Sequence, residues 1–185
     1  MVLVLAIGDL HIPDRSSDLP KAFKKLMIPG RIQQILCTGN LNSSETYQYL
    51  KSVCNEVHVV QGEYDTVGAW PTSKIITHGN YKIGLIHGHQ FTPWAHPDTL
   101  ESKAQQMDVD ILIFGHTHQL QVYDKNNRFF INPGTGTGAF SSLGGSIEPI
   151  PSFILLDLQD SLVTSYIYKL KDGEVQVEVM EFKKE

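Results

Sequence analysis

Cysteine is scarce in this chain: there are two in 185 residues, Cys37 and Cys54, and they form no C-x-x-C pair. That usage suits a reducing cytosol, and Cys37, inside the apolar run Ile35-Leu36-Cys37, reads as a small packed hydrophobe. A surplus of basic charge is missing too. The net charge is −5 and the fifteen Lys and Arg are spread along the chain, so the field of a nucleic-acid binder is absent and neither DNA nor RNA is expected as a partner. No apolar stretch approaches bilayer length, which leaves only a peripheral or partner-mediated membrane role. The run Val2 to Ile7 has no basic residues before it and no small-residue cleavage site after it, so it reads as a buried first strand rather than a leader. There is no internal repeat and no linker. Residues 1–185 are therefore expected to form a single domain, of a size that buries a core without staples.

What is present in the first two-thirds is a set of short continuous apolar runs separated by helical stretches, the pattern of strands covered on both faces. Val2 to Gly8, Ile32 to Thr38 and Val57 to Gly62 are the clearest strands. Between them, Asp18 is placed to cap a helix with Pro20 in its first turn and Phe23, Leu26 and Met27 on one face. Ser43 or Ser44 is placed to cap another, with Tyr47, Leu50 and Val53 inward. The order is β-α-β-α-β. Lys74 to His78 and Tyr81 to His87 around His78-Gly79-Asn80 then read as a hairpin, and Asp98 to Gln106 as a short helix. Strands at Asp110 to Gly115, Leu120 to Tyr123, Arg128 to Asn132, Phe153 to Leu158, Leu162 to Lys169 and Val175 to Phe182 follow, largely antiparallel. Gly144-Gly145-Ser146 falls in a Ser- and Gly-rich loop expected to be mobile. The fold class that results is α/β, with two mixed sheets packed face to face and helices outside.

Polar residues with ligand chemistry recur at the ends of these strands, where α/β sheets place their sites. Asp9-x-His11 follows the first strand, Gly39-Asn40 the second and Gly62-Glu63-Tyr64-Asp65 the third; His87-Gly88-His89 ends the hairpin and Gly115-His116-Thr117-His118 a later strand. D-x-H alone fits a capping Asp beside an exposed His as well as a metal site; the ordered set is the informative signal. Imidazole, carboxylate and amide oxygen without thiolate suit Mn²⁺, Zn²⁺ or Fe²⁺ better than a structural zinc site. His58, His78 and His96 lie in a strand, a turn and a Pro-containing loop and are assigned no chemistry, while His89 either faces the site or points to solvent. The loop Asn132 to Gly138 can present N–H groups to a phosphate but has no P-loop lysine, and a tight turn is the preferred reading.

These motifs, in this order, resemble those of the calcineurin-like metallophosphoesterase superfamily. GDLHIP from Gly8, LCTGNL from Leu36, KIGLIHGHQ from Lys82, DVDILIFGHTH from Asp108, INPG from Ile131 and IPSF from Ile150 resemble, more closely and from end to end, the metallophosphoesterase-like small subunits of retromer. The resemblance implies a metal set of Asp9, His11, Asn40 and His118 around one divalent ion and Asn40, Glu63, His87 and His116 around the other, with Asn40 as bridge. Active members usually carry Asp at the bridge and Asn where Glu63 stands, and a catalytic His where this chain has Tyr64. The implication is weak or partial occupancy by Zn or Mn, and a non-catalytic or weakly catalytic scaffold subunit; a Mn- or Zn-dependent phosphodiesterase is the alternative.

The resemblance further implies retrograde sorting from endosomes to the Golgi or vacuole, cytoplasmic and peripheral on endosomal membranes, with membrane contact only through the complex. Its expected partner is the large α-solenoid subunit of retromer, docked through Phe91, Thr92, Pro93 and Trp94, with core packing as the other reading of Trp94. An aliphatic residue is usual where Thr92 stands, so that contact is either missing or supplied by Phe91. Leu26, Leu155, Tyr166, Tyr168 and Val177 match a second, apolar surface used by regulators of endosomal sorting, with core burial as its alternative.

Overall fold

The computed structural model describes residues 2–144 and 148–184, so Gly145 and Ser146 of the Ser- and Gly-rich loop lie outside the described residues. β1 (Val2–Ile7), α1 (Lys21–Leu26), β2 (Gln34–Cys37), α2 (Ser44–Val53) and β3 (Val57–Val59) form the expected β-α-β-α-β unit, with β1, β2 and β3 in parallel register. β4 (Ser73–His78) and β5 (Tyr81–Ile86) make the hairpin. α3 (Pro97–Met107), β6 (Ile111–Ile113), β7 (Leu120–Lys125), β8 (Arg128–Pro133), β9 (Ser152–Leu158), β10 (Leu162–Lys171) and β11 (Glu174–Lys183) complete the chain. One sheet has six strands in the order β11-β10-β9-β1-β2-β3 and the other five in the order β4-β5-β6-β8-β7. The second half is less antiparallel than its sequence suggests: β5–β6 and β6–β8 pair in parallel, because α3 carries the chain back between β5 and β6, and β7, antiparallel to β8, returns it between β6 and β8.

Strand alternation sorts the side chains into layers. Val4, Ala6, Leu36, Ile154, Leu156, Val163 and Ile167 point at Ile83, Leu85, Ile111, Ile113, Phe129 and Ile131 of the other sheet. The opposite face of the six-stranded sheet, with Leu5, Ile7, Ile35 and Phe153, lies under Phe23 of α1 and Leu50 and Val53 of α2. α3 lays Leu100 and Ala104 on Leu112, Phe114 and Phe130 outside the five-stranded sheet. Each fully buried Leu, Ile or Phe contributes roughly 1.5–3 kcal/mol, enough to hold short strands that have little intrinsic stability.

Ser43 caps α2 by accepting the Thr46 N–H at 3.1 Å. The cap expected at Asp18 is not formed. α1 begins after Pro20 with no side-chain cap, because Asp18 accepts the N–H of Leu19 and pairs with Lys24 instead. Phe23 of α1 and Met27, which caps its C-terminus, are buried and Leu26 is exposed, so the expected three-residue face narrows to two.

Candidate metal centre

The strand interiors are apolar, and the polar residues that follow them converge beyond the strand ends. Five of those residues, Asp9, His11, Asn40, His116 and His118, have φ of +49°, +47°, +55°, +73° and +58°. Asn, Asp and His enter this left-handed region more readily than other residues with a Cβ, and such strain persists where neighbours impose it. The neighbours here are hydrogen bonds: Asp9 N–H donates to Gly39 O at 3.0 Å, His11 N–H to Asn40 O at 2.9 Å, and His116 N–H to Asp9 Oδ2 at 2.9 Å. Gly115 permits the last approach, since a Cβ there would lie 2.8 Å from Asp9 Oδ2 and 2.6 Å from Thr38 Oγ1.

Two groups of ligand atoms result, Asp9, His11 and His118 in one and Glu63, His87 and His116 in the other, each within 4.8 Å of one another. Asp9 Oδ1 stands between the groups, 3.9 Å from His11 Nε2, 3.7 Å from His118 Nε2 and 3.8 Å from His87 Nε2. Glu63 Oε2 is 2.6 Å from His87 Nε2, and its Oε1 is 3.1 Å from His116 Nδ1.

The donor set fits a divalent transition metal. His118 Nδ1–H donates to Ala139 O and His87 Nδ1–H to Thr38 O, both at 2.6 Å, which turns each Nε2 inward in the tautomer a metal takes. Burial outweighs the attraction of Asp9 and lowers the His11 pKa to about 4, so that imidazole is neutral at pH 7. Burial would raise the Glu63 carboxyl, but hydrogen bonds from His116 and His87 prevail and hold it well below the usual carboxylate range. Burial likewise opposes a proton on His87, yet Asp9 and Glu63 raise its pKa on balance.

Asn40 sits at the expected bridge with its amide turned. Oδ1 accepts the Tyr64 N–H at 3.0 Å, while Nδ2 lies 3.1 Å from Asp9 Oδ1, 3.4 Å from Glu63 Oε2 and 3.3 Å from His87 Nε2. The seat between the two groups thus receives N–H donors. Rotating the amide would bring oxygen there, at the expense of setting N–H against the Tyr64 N–H.

His89 faces the centre: its Nδ1 is 3.8 Å from Glu63 Oε2 and its ring is 5.1 Å from that of His87. His58 pairs with Glu56 at 3.1 Å, His78 ends β4 and His96 precedes α3. Two supports of the site have only faint traces in the sequence. Asp65 accepts four backbone N–H groups, from Asn40 and Gly62 through Oδ2 and from Leu41 and Asn42 through Oδ1, tying together the ligand loops after β2 and β3. The loop after β8 braces the turn after β1: Thr135 Oγ1 donates to Asp9 O, Thr137 Oγ1 to Leu10 O and Gly136 N–H to Gly8 O. These bonds, with Gly134 N–H on Asn132 Oδ1, engage two of the loop's backbone N–H groups within the protein.

At the mouth, Trp94 is 44% exposed, sets its ring edge on His116 at 4.8 Å and donates to His89 O, so it is a rim residue and not core. Thr92 and Pro93 are exposed beside it, and Phe91 is half-buried against the α3 layer. Away from the mouth, Leu26 and Val177 are exposed, Tyr166 and Tyr168 are half-buried, and Leu155, only 8% exposed, belongs to the packed layer beneath the helices.

Known proteins share this fold. The Calcineurin-like phosphoesterase superfamily domain matches residues 2–161. The chain is 44% identical over 185 residues to vacuolar protein sorting-associated protein 29 of Schizosaccharomyces pombe, covering 99% of each. It superposes on Chaetomium thermophilum Vps29 with a TM-score of 0.96 at 39% identity over 100% of both chains. With Entamoeba histolytica Vps29 complexed with Zn²⁺, the TM-score is 0.92 at 47% identity, over 98% of this chain and 100% of that one. The chain therefore belongs to the calcineurin-like phosphoesterase superfamily and, within it, to the Vps29 family.

Proposed function

We propose that this protein is a scaffold subunit of retromer, working at endosomes in retrograde sorting, with a metal centre retained for architecture more than for turnover. The observation that carries this reading is the Asn40 amide. A two-metal hydrolase holds both ions on shared anionic oxygen, and at the expected bridge this chain has a neutral amide, with Nδ2 3.1 Å from Asp9 Oδ1 and 3.3 Å from His87 Nε2. The ions, Zn²⁺ or Mn²⁺, are then held separately by Asp9, His11 and His118 and by Glu63, His87 and His116, with partial occupancy and weak coupling. Tyr64, 55% exposed at the mouth, supplies no imidazolium.

The docking face for the large α-solenoid subunit is the mouth itself. Trp94, Phe140 and Leu143 are exposed at its rim together with Tyr64, and aromatic side chains around a largely buried polar centre are the composition of an interface hot spot. Residues 1–185 act in this reading as one domain, since both sheets contribute to one core cluster. The phosphodiesterase reading retains one favourable observation, that carboxylates and imidazoles still compose both ligand groups.

The test is size-exclusion binding of purified protein to the large α-solenoid subunit, for the native sequence, Trp94→Ala and the Asp9→Ala, His87→Ala pair. We expect a stoichiometric complex, lost or weakened at least tenfold by Trp94→Ala, and no turnover of a bis-aryl phosphodiester with Mn²⁺. Absence of a complex together with metal-dependent turnover would replace the scaffold with the enzyme.

A further inference from the structure

We propose that a cavity at the end of the sandwich remote from the candidate metal centre binds an alkylammonium group, its charge held by the Asp160 carboxylate and the Tyr81 hydroxyl and its methylenes lying on Val2 and Leu158. The inference uses no metal ion and is independent of the scaffold reading.

The position follows from the strands. Val2 and Tyr81 begin β1 and β5, whose other ends lead to Asp9 and His87, so roughly 20 Å of strand separates the cavity from those ligands. Two hairpin turns, one from each sheet, line it: His78 to Tyr81 between β4 and β5, and Leu158 to Asp160 leading from β9 to β10. The turns are tied to each other and to the end of the chain, since Asn80 Nδ2 donates to Asp160 O and Lys184 Nζ to Asn80 O, both at 3.2 Å. The cavity measures about 530 Å³, within the range of small-ligand sites.

Its chemistry is that of oxygen acceptors beside an apolar surface. Buried polar groups ordinarily have a hydrogen-bond partner, yet the hydroxyl of Tyr81, a residue only 1% exposed, has none among the described residues. Gln34, Asp157 and Ser165 are also buried with an unpartnered atom, but none of them lines this cavity. Burial first, then Asp110 and Asp160, raise the pKa of the phenol, so it stays a neutral hydroxyl with two carboxylates near enough to act on it. Asp110 is already met by Lys184 Nζ at 2.8 Å, whereas Asp160 lines the cavity. The amide nitrogens of the lining turn to the protein, Asn80 Nδ2 to Asp160 O and Gln159 Nε2 to Asp157 Oδ2 at 2.9 Å. What remains for a ligand is carboxylate, amide and phenol oxygen, which an ammonium meets with three donors and no acceptor. Long aliphatic amines lay their methylenes on apolar surface while the head reaches polar partners, and Val2 and Leu158 supply that surface.

Two probes distinguish the sources of such a group, cadaverine for a free polyamine and Nα-acetyl-lysine methylamide for the side chain of a partner protein, with Nα-acetyl-norleucine methylamide as the neutral control. Each is titrated into the full chain and followed by backbone amide NMR. At least one amine should shift the resonances of residues 78–81 and 158–160 with a dissociation constant on the order of 1 mM, the strength of two charge-assisted hydrogen bonds, and the tighter of the two names the source. Asp160→Asn should weaken binding at least tenfold and Tyr81→Phe about tenfold. Because Tyr81→Phe removes a buried hydroxyl that has no partner, it should not lower Tm. A lower Tm in Tyr81→Phe shows the hydroxyl to be bonded within the protein and overturns the proposal. So do equal binding of the norleucine control, full affinity in Asp160→Asn, or no shift at these residues with either amine.

Discussion

Two imidazoles of the centre shift in opposite directions, His11 downward through burial and His87 upward because Asp9 and Glu63 outweigh burial, and the difference is measurable without any metal. His11, with a pKa lowered to about 4 chiefly by burial, holds fewer protons in the folded protein than in the unfolded chain between pH 4 and its ordinary 6.5. Stability therefore rises with pH across that window and falls as pH drops through it. His87 works the other way. Its raised pKa gives a contribution complete below pH 6.5 and lost as pH climbs through the folded value, so the two occupy separate windows. In chelator-treated protein, His11→Gln removes the first window. The shift corresponds to about 3 kcal/mol, and the decline in Tm between pH 6.5 and 4 should be smaller in the variant by roughly 6–12 °C. Calorimetric scans at half-unit intervals check this, and parallel curves for the two proteins would refute the assignment.

Elements bring the ligands together only because loops are tied to loops. Asp65 is the knot between the turns after β2 and β3, with both carboxylate oxygens taken by backbone N–H groups and 7% exposure. Asp65→Asn would leave one oxygen to accept and point an NH₂ at two N–H donors. A loss of about 3 kcal/mol is expected, seen as a Tm lower by roughly 6–12 °C, with weaker Zn²⁺ uptake because the Asn40 backbone loses its anchor. Equal Tm and equal uptake would show that the loops hold themselves.

The strands of this scaffold are legible in sequence within a few residues, since runs such as Val2 to Ile7 and Leu162 to Lys171 carry their own apolar signal. The candidate ligand positions, which the fold gathers into two groups, are legible for a related reason: they are polar residues that follow an apolar run. Other features rest on contacts between distant segments and leave no local trace. The parallel β5–β6–β8 register, the Asp65 knot, the bracing by Thr135 and Thr137 and the direction of the Asn40 amide are of this kind. Asp18 misleads for a local reason, as Pro20 moves the helix start beyond its reach.

Across the whole molecule, the two apolar surfaces differ in how far they are covered. β11 is the edge of the six-stranded sheet, and on its helix-side face Val175 packs against the layer under α1 and α2, while Val177 and Val179 are 49% and 59% exposed. The layer ends partway across this edge, so Val177, paired with half-buried Tyr168, is left exposed there while Leu155 closes the core below. Leu155→Asp puts a charge in the packed layer and should cost at least 3 kcal/mol, seen as a Tm lower by 6 °C or more. Val177→Asp adds the same charge at the open edge and should shift Tm by no more than about 2 °C, within the range of surface substitutions. It should also reduce the binding of an apolar fluorescent dye to the native protein. A Tm loss as large for Val177→Asp as for Leu155→Asp would mean that the patch is packed, whereas the expected split leaves a folded protein altered only at its exposed apolar edge.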